Sequence, residues 1–241
     1  MQIEATLLDH MGSDLTVINA AKVSFRKQQD TIDLNGKNLI SYLAKHRHTS
    51  PFGHCFASFH ISAPVFVARQ LVKHKFLRWN EVSRRYVSDT PEFYRPETLR
   101  GKSDDKKQGS SDKVIDTITV SEPDYEYDYM YPEDKKHLLP FTHHTENVAD
   151  VLEETHGQAL STYHQLLEAG VCPEQARMVL PQSMITEWWW SGSLDAFGDM
   201  CKLRCASDTQ METRVVADQI SAIMSEIYPH SWAALLQKLR S

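Results

Sequence analysis

Apolar and polar positions change period several times along the chain, and each change marks an element. In "HCFASFHISAP", Cys55, Ala57, Phe59 and Ile61 alternate with Ser58, His60 and Ser62. A period of two predicts a strand with one face buried. "MQIEATLLDH" alternates well enough for a second strand. "MGSDLTVINAAKVSF" reads as a helix opened by Ser13 or Asp14, with Leu15, Ile18 and Ala21 on one face. "NLISYLAKH" is another short amphipathic helix. Pro64 sits where a first-turn proline belongs and opens "VFVARQLVKHK", apolar at Val65, Val67, Ala68 and Leu71. That helix is expected to end among cations, which suit the negative helix end. A long helix is expected from Thr145, with Val148, Val151, Leu152, Ala159, Tyr163, Leu166 and Leu167 as its buried stripe and Gly170 as its end. Cys172 and Pro173 open a further helix through "PEQARMVLP", and the chain from Trp188 onward reads as largely helical, with Trp188, Trp189 and Trp190 in the core or at a subunit contact. The sum is an α+β protein with helices in the majority. No internal repeat appears, and no linker divides the chain into two domains, so residues 1–241 are expected to form a single domain.

One region departs from this regularity. "GKSDDKKQGSSDK" is polar and of low complexity, and "EPDYEYDYMYPED" places Tyr125, Tyr127, Tyr129 and Tyr131 at period two with acids between them. Residues 101–144 therefore read as an insertion. Its tyrosine-rich part, 121–134, reads as a strand with a tyrosine face or an arm on a neighbouring subunit.

Composition narrows the function. The 241 residues carry a formal charge of -6, with 41% hydrophobic and 24% charged residues. This is ordinary for a soluble globular protein, and the acidic balance argues against a general nucleic-acid-coating role. No stretch approaches the ~18 apolar residues of a membrane span, and the N-terminus lacks an apolar core of signal-peptide length. Four cysteines, Cys55, Cys172, Cys201 and Cys205, make no disulfide framework in a chain of this size. A cytoplasmic setting is expected, or a host cytoplasm if the source is viral.

Against that acidic background, "LVKHKFLRWNEVSRRY" concentrates Lys73, Lys75, Arg78, Arg84 and Arg85 within sixteen residues. Cations so close repel unless solvent or an anion lies among them. A solvated helix end accounts for the charge alone. It does not account for Asn80, Glu81 and Ser83 between the cations, or for the flat surfaces of Phe76 and Trp79. A phosphate joined to a planar heterocycle uses all of these groups. Arg177 in "QARMVLP" and Arg204 in "CKLRCA" are either snorkelling surface arginines or fork-shaped donors for phosphate, carboxylate or pyrimidine carbonyls. His46, His48 and His54 cluster before the first core strand, but no cysteine or carboxylate completes a zinc set at known spacing. Cys201 and Cys205 fall four apart, the spacing of a shared metal or of two small core residues. No metal is assigned. Neither glycine-rich phosphate loop is present. A non-enzymatic nucleic-acid binder is the competing class, and strongly salt-dependent binding would mark it.

These residues resemble a known family. "PVFVARQLVKHKFLRWNEVSRRY" is similar to the signature region of the flavin-dependent thymidylate synthases, the ThyX family. Its hallmark is Arg-His-Arg, seven residues, then Ser, inside a longer Arg-Gln…Asn-Glu-x-Ser-x-Arg-Tyr pattern. Here it reads Arg69-Gln70, Lys73-His74-Lys75 and Asn80-Glu81-Val82-Ser83-Arg84-Arg85-Tyr86. "MGSDLTVINAAKVSF", "YLAKHRHTSPFGH", "ARMVLP" and "LRCASDTQMETR" look like family segments in the right order. The resemblance covers most of the chain outside roughly 101–144.

The resemblance implies an antiparallel or mixed sheet flanked by helices, with a helix-rich C-terminal half. It implies a homotetramer with shared active sites and FAD bound between subunits. It implies reductive methylation of dUMP to dTMP, with methylenetetrahydrofolate as one-carbon donor and NADPH as reductant. It also implies no cysteine nucleophile. Carried over by position, Gln70, Glu81, Val82, Ser83, Arg85, Arg177 and Arg204 form the dUMP site, and Arg204, Ser83 and Glu81 carry the catalytic roles. Arg85 and Arg177 suit the phosphate, Arg204 the uracil carbonyls, and Ser83 contacts the nucleotide without attacking it. Ser24, His48, Ser50, Lys73, His74, Lys75, Phe76, Glu81, Ser193 and Asp199 are expected to contact flavin or folate. Lys73 and Lys75 depart from the hallmark: lysine keeps the charge but loses the planar fork. Asp195 stands where relatives carry a flavin-contacting group, and its charge is unfavourable beside a pyrophosphate. A shifted reaction on the same scaffold, UMP methylation or uracil hydroxymethylation, is the alternative expectation.

Overall fold

A computed structural model describes residues 3–87, 89–103, 109–123 and 141–237. The chain divides into two compact units, Met1–Tyr94 with Gln182–Ser241, and Arg95–Pro181. The first unit opens with β1 (Glu4–Met11), α1 (Asp14–Lys22), α2 (Leu34–Lys45), β2 (Phe56–Pro64), α3 (Val65–Leu71) and β3 (Leu77–Glu81). The second holds β4 (Arg100–Lys102), β5 (Ser110–Val114), β6 (Thr117–Pro123), β7 (Phe141–Asn147), α4 (Val148–Glu168) and α5 (Pro173–Ala176). The chain then returns to the first unit with β8 (Ile185–Ser193), α6 (Leu194–Arg204), α7 (Met211–Ile227) and α8 (Pro229–Leu236). This is the expected α+β class.

The first unit is built on one antiparallel sheet of order β1-β2-β8-β3. The predicted alternation of β2 holds: Ala57, Phe59 and Ile61 are buried, and the residues between them are not. On β8, Trp188 and Trp190 point inward and Trp189 is 58% exposed. The inward face meets helix residues in one core, with Phe59 edge-on to Phe197 of α6 at 5.2 Å between ring centroids. Val17 and Ile18 of α1, Ile40 of α2, Val216 and Ile220 of α7, and Trp232 of α8 complete it.

Two long-range polar joints close this unit. Asp14 is buried, and its two carboxylate oxygens accept the backbone N–H groups of His230 and Ser231 at 2.9 and 2.8 Å. It thereby caps the first turn of α8, whose own flanking residue Tyr228 makes no side-chain cap. The Tyr228 hydroxyl donates to the carbonyls of Met11 and Phe56 at 2.9 and 3.1 Å, joining the adjacent ends of β1 and β2.

Several expectations are corrected. The chain after Trp188 is not helical at its start: all three tryptophans lie on β8, in the interior of the sheet, because bulky aromatics at period two pack well on a pleated surface. The helix expected from Thr145 begins at Val148. Residues Phe141–Asn147 form β7 instead, and the Asn147 side chain caps the helix by accepting from Ala149 N–H at 2.8 Å. Within its stripe only Tyr163 is fully buried, joined by His156, which the pattern did not mark. On α1 the fully buried residues are Asp14, Val17 and Ile18, while Leu15 and Ala21 are half-buried. Helix α3 stops at Leu71, so Lys73 and Lys75 lie beyond its end and not in its last turn. Part of the polar stretch after Arg100 pairs as the β4-β5 hairpin. The tyrosines of the expected arm, Tyr125 to Tyr131, lie outside the described residues.

Candidate functional site

The site is best built from β3, the edge strand that sequence periodicity did not reveal. Leu77 lies opposite Gly192 of β8, and Glu81 opposite Trp188. A Cβ on Gly192 would stand 2.3 Å from Leu77 Cδ2 and 3.2 Å from the Phe76 carbonyl oxygen. The missing side chain lets β3 close on β8. The turn into β3 then passes through Phe76 with φ of 66°, a left-handed conformation that a bulky side chain rarely adopts. Phe76 is left 83% exposed, beside Lys75.

Three separate hydrogen-bonded junctions hold three of the six expected nucleotide-site residues of the first unit, Gln70, Glu81 and Arg204. Glu81 accepts from Trp79 Nε1 at 3.0 Å on one oxygen and from Thr186 Oγ1 at 2.8 Å on the other, which orients the carboxylate and leaves a lone pair on each. Trp79 reaches Glu81 because residues two apart share a strand face, and its ring stacks on Trp188 at 4.4 Å. Gln70, on α3, donates to the Gln210 side chain and accepts from Thr213 Oγ1 at 3.2 Å, on the first turn of α7. Arg204, at the end of α6, donates from Nε to His74 Nε2 at 3.0 Å. His74 also meets the Trp190 ring edge-on at 6.4 Å. Burial and the Arg204 charge both lower its pKa, so the ring is neutral near pH 7.

The five cations separate by role. Arg84 turns inward, is buried, and holds Asp89 through the carbonyl oxygen and through Oδ2 at 3.4 Å. Arg85 turns outward over the Tyr86 ring at 4.9 Å, with its Nε 3.4 Å from Ser83 Oγ. Lys73, Lys75 and Arg78 are exposed and form no ion pair among the described residues. Val82 is exposed, anchored by its N–H on the Glu187 carbonyl at 2.9 Å.

Other expected residues stand apart. Ser24 is exposed on a 3-10 turn, Val23–Phe25. His48 packs with Tyr42 and His46 in a small ring cluster, centroids 6.2 and 6.4 Å away. Ser50 is exposed on the turn before β2. Among the described residues no hydrogen bond or ring contact links these three to Lys73–Phe76. Ser193 flanks α6 without a side-chain cap, and Asp199 is exposed and pairs with Lys202 at 3.3 Å. Asp195, in the first turn of α6, has a buried Oδ1 with no hydrogen-bond partner among the described residues. Arg177 belongs to the second unit, where its Nε donates to the Glu174 carbonyl at 3.3 Å.

Thr186, Gln210 and Thr213 were not anticipated, although each holds an anticipated residue in place, and Trp79, expected as a flat surface for a heterocycle, stacks on Trp188 and orients Glu81. Gln70 and Gln210 are 140 positions apart, so no local pattern relates them. Burial pushes the Cys55 thiol up to about 11 and also raises Cys201, so neither supplies a thiolate at neutral pH. Among the described residues no group of three or more His, Cys, Asp or Glu could hold a metal ion. None of their helices is long and apolar enough to cross a membrane.

The family model for thymidylate synthase complementing protein matches residues 6–230. The chain belongs to the flavin-dependent thymidylate synthase family. It is therefore a flavin-dependent methyltransferase. The flavin-dependent thymidylate synthase of Thermus thermophilus is 35% identical over 233 residues, covering 97% of this chain and 75% of the relative. That of Thermosipho africanus is 34% identical over 231 residues, covering 96% and 90%. Among solved structures, a UMP/dUMP methylase, PolB from Streptomyces cacaoi bound with 5-Br dUMP, superposes with a TM-score of 0.74 at 27% identity, covering 97% of this chain and 94% of that one. The same enzyme bound with 5-Br UMP gives 0.71 at 26% identity, covering 97% and 93%.

Proposed function

We propose that the chain makes dTMP from dUMP by reductive methylation, with methylenetetrahydrofolate as one-carbon donor, FAD as hydride carrier and NADPH as reductant, working as a homotetramer with shared active sites. The observation that carries this reading is the family match over residues 6–230. In the net reaction the C5 hydrogen of uracil leaves as a proton, the methylene carbon of methylenetetrahydrofolate becomes the methyl group in its place, and tetrahydrofolate is released. When bound, the flavin supplies the hydride that completes that methyl group, and NADPH restores it.

The residues suit such a cofactor. Lys73, Lys75 and Arg78 are exposed cations without ion pairs among the described residues, as a diphosphate requires. Asp195 Oδ1 lacks a donor and suits a hydroxyl or amino group of the cofactor, not its phosphates. On the substrate, Arg204 withdraws charge from a uracil carbonyl as negative charge develops on the ring, while Gln70, Glu81, Val82 and Ser83 orient the base and sugar. Arg85 binds the phosphate, a role that the family resemblance also gives to Arg177. His48, His74 and Phe76 offer ring faces to flavin or folate, flanked by Ser24, Ser50, Ser193 and Asp199.

The purified protein is expected to be yellow, or to become so with added FAD, and to release the C5 hydrogen of dUMP when NADPH and methylenetetrahydrofolate are supplied. Absence of flavin binding under all conditions would overturn the reading. UMP is a second candidate substrate, because the structurally similar enzyme is a UMP/dUMP methylase seen with analogues of both nucleotides. Mass spectrometry of products from dUMP and from UMP decides between them. A further expectation concerns the lysines. Lys73→Arg with Lys75→Arg restores two planar forks, and FAD binding should tighten by about tenfold, the equivalent of one good charge-assisted hydrogen bond. Fluorescence titration of FAD checks this, and unchanged or weaker binding counts against a phosphate-gripping role.

A further inference from the structure

Arg204 ends α6 with its inner nitrogen already engaged. Nε donates to His74 Nε2, while the two terminal nitrogens have no partner among the described residues. We propose that His74 is a positioning residue: it anchors Arg204 through Nε, so that the terminal nitrogens meet the pyrimidine nucleotide as a fixed pair of donors. This rests on the reading of Arg204 as a nucleotide-binding group.

The choice of partner matters. A carboxylate would also hold the guanidinium, but it would offset its charge and compete for the terminal nitrogens. A neutral imidazole takes one N–H and leaves the full charge available. An arginine side chain has much rotamer freedom, and anchoring Nε removes part of it before the nucleotide arrives. The anchor is itself held. The backbone N–H of His74 donates to the Leu71 carbonyl at 3.1 Å, and the ring packs edge-on against Trp190.

His74 accepts through Nε2 only as the neutral ring protonated on Nδ1. The groups around it are Arg204 from α6 and the Trp190 ring from β8, with Lys73 and Lys75 beside it in its own loop. Burial and the Arg204 charge resist protonation, so the folded ring titrates below the ordinary value of about 6.5. As pH falls through that lower value the acceptor becomes a donor, and Arg204 is released. Nucleotide affinity therefore carries an acid limb set by His74.

Calorimetric titration of the flavin-loaded protein with dUMP tests this. His74→Ala should raise the Kd about tenfold. His74→Gln, whose Oε1 replaces Nε2 as acceptor, should recover most of that and flatten the acid limb. His74→Ala should add nothing in an Arg204→Ala background, since the anchored group is then gone. A His74→Ala Kd within about twofold of the parent, a glutamine variant no better than alanine, or an undiminished effect in the Arg204→Ala background overturns the proposal. A measurement on the unmutated, ligand-free protein stands beside these: the Arg204 Nε–H proton resonance should be slow to exchange and should vanish as His74 protonates. Persistence of that signal through the acid limb also overturns it. If the signal behaves as expected but dUMP does not bind, the nucleotide reading of Arg204 fails instead.

Discussion

Arg204→Ala is expected to lower turnover of dUMP by at least ~10²–10³-fold, the usual cost of removing a donor aimed at developing charge. The fold should survive. The Arg204 side chain lies at the end of α6, outside the core, and its hydrogen bond to His74 is the one polar contact it makes among the described residues. Arg204→Lys should recover little, because an ammonium keeps the charge but has neither an Nε to anchor nor a pair of terminal donors. Release of the C5 hydrogen, read beside a thermal melt, separates lost chemistry from lost structure. Near-normal release by the alanine variant would mean that the donor to the uracil ring lies elsewhere.

The largest expected effect on stability is at Asp14. Asp14→Ala leaves the N–H groups of His230 and Ser231 without the acceptor that α8 needs for its first turn. Buried donors stripped of a charged acceptor cost about 2–4 kcal/mol together, and the positive helix end loses its compensating charge as well. For a chain of this size the midpoint should fall by roughly 4–16 °C. Asp14→Asn keeps one acceptor oxygen and should fall between the two. Thermal unfolding followed by circular dichroism is the measurement, and a loss below about 1 kcal/mol would show that α8 finds another cap or water.

Part of this fold was legible because its signals are local. The alternation of Cys55, Ala57, Phe59 and Ile61 requires a half-buried strand, and Ser13 before an apolar repeat announces the start of α1. The tryptophan triplet is in the core as expected at Trp188 and Trp190, but on a strand and not a helix, because contiguous apolar residues carry no period. Only pairing with β2 on one side and β3 on the other shows that Trp188 and Trp190 face inward and Trp189 outward. The five residues of β3 are too few, and too mixed in polarity, to announce a strand at all. The candidate site divides in the same way. Lys73, His74, Lys75, Glu81, Ser83 and Arg85 stand out in one short stretch, whereas Thr186 and Gln210 acquire their place through distant partners.

The sequence by itself therefore determined the element types with strong periodicity, the family, and the residue types offered to an anionic nucleotide. Those follow from side-chain pattern and charge, which need no neighbour in space. Tertiary structure alone decided which of two adjacent arginines turns inward, Arg84 and not Arg85, because only the folded loop brings Asp89 within reach. It alone placed Asp14 at the start of a helix more than two hundred residues later, and His74 against Arg204. A hydrogen bond depends on distance and direction between two groups, and chain order constrains neither once the chain has folded back on itself.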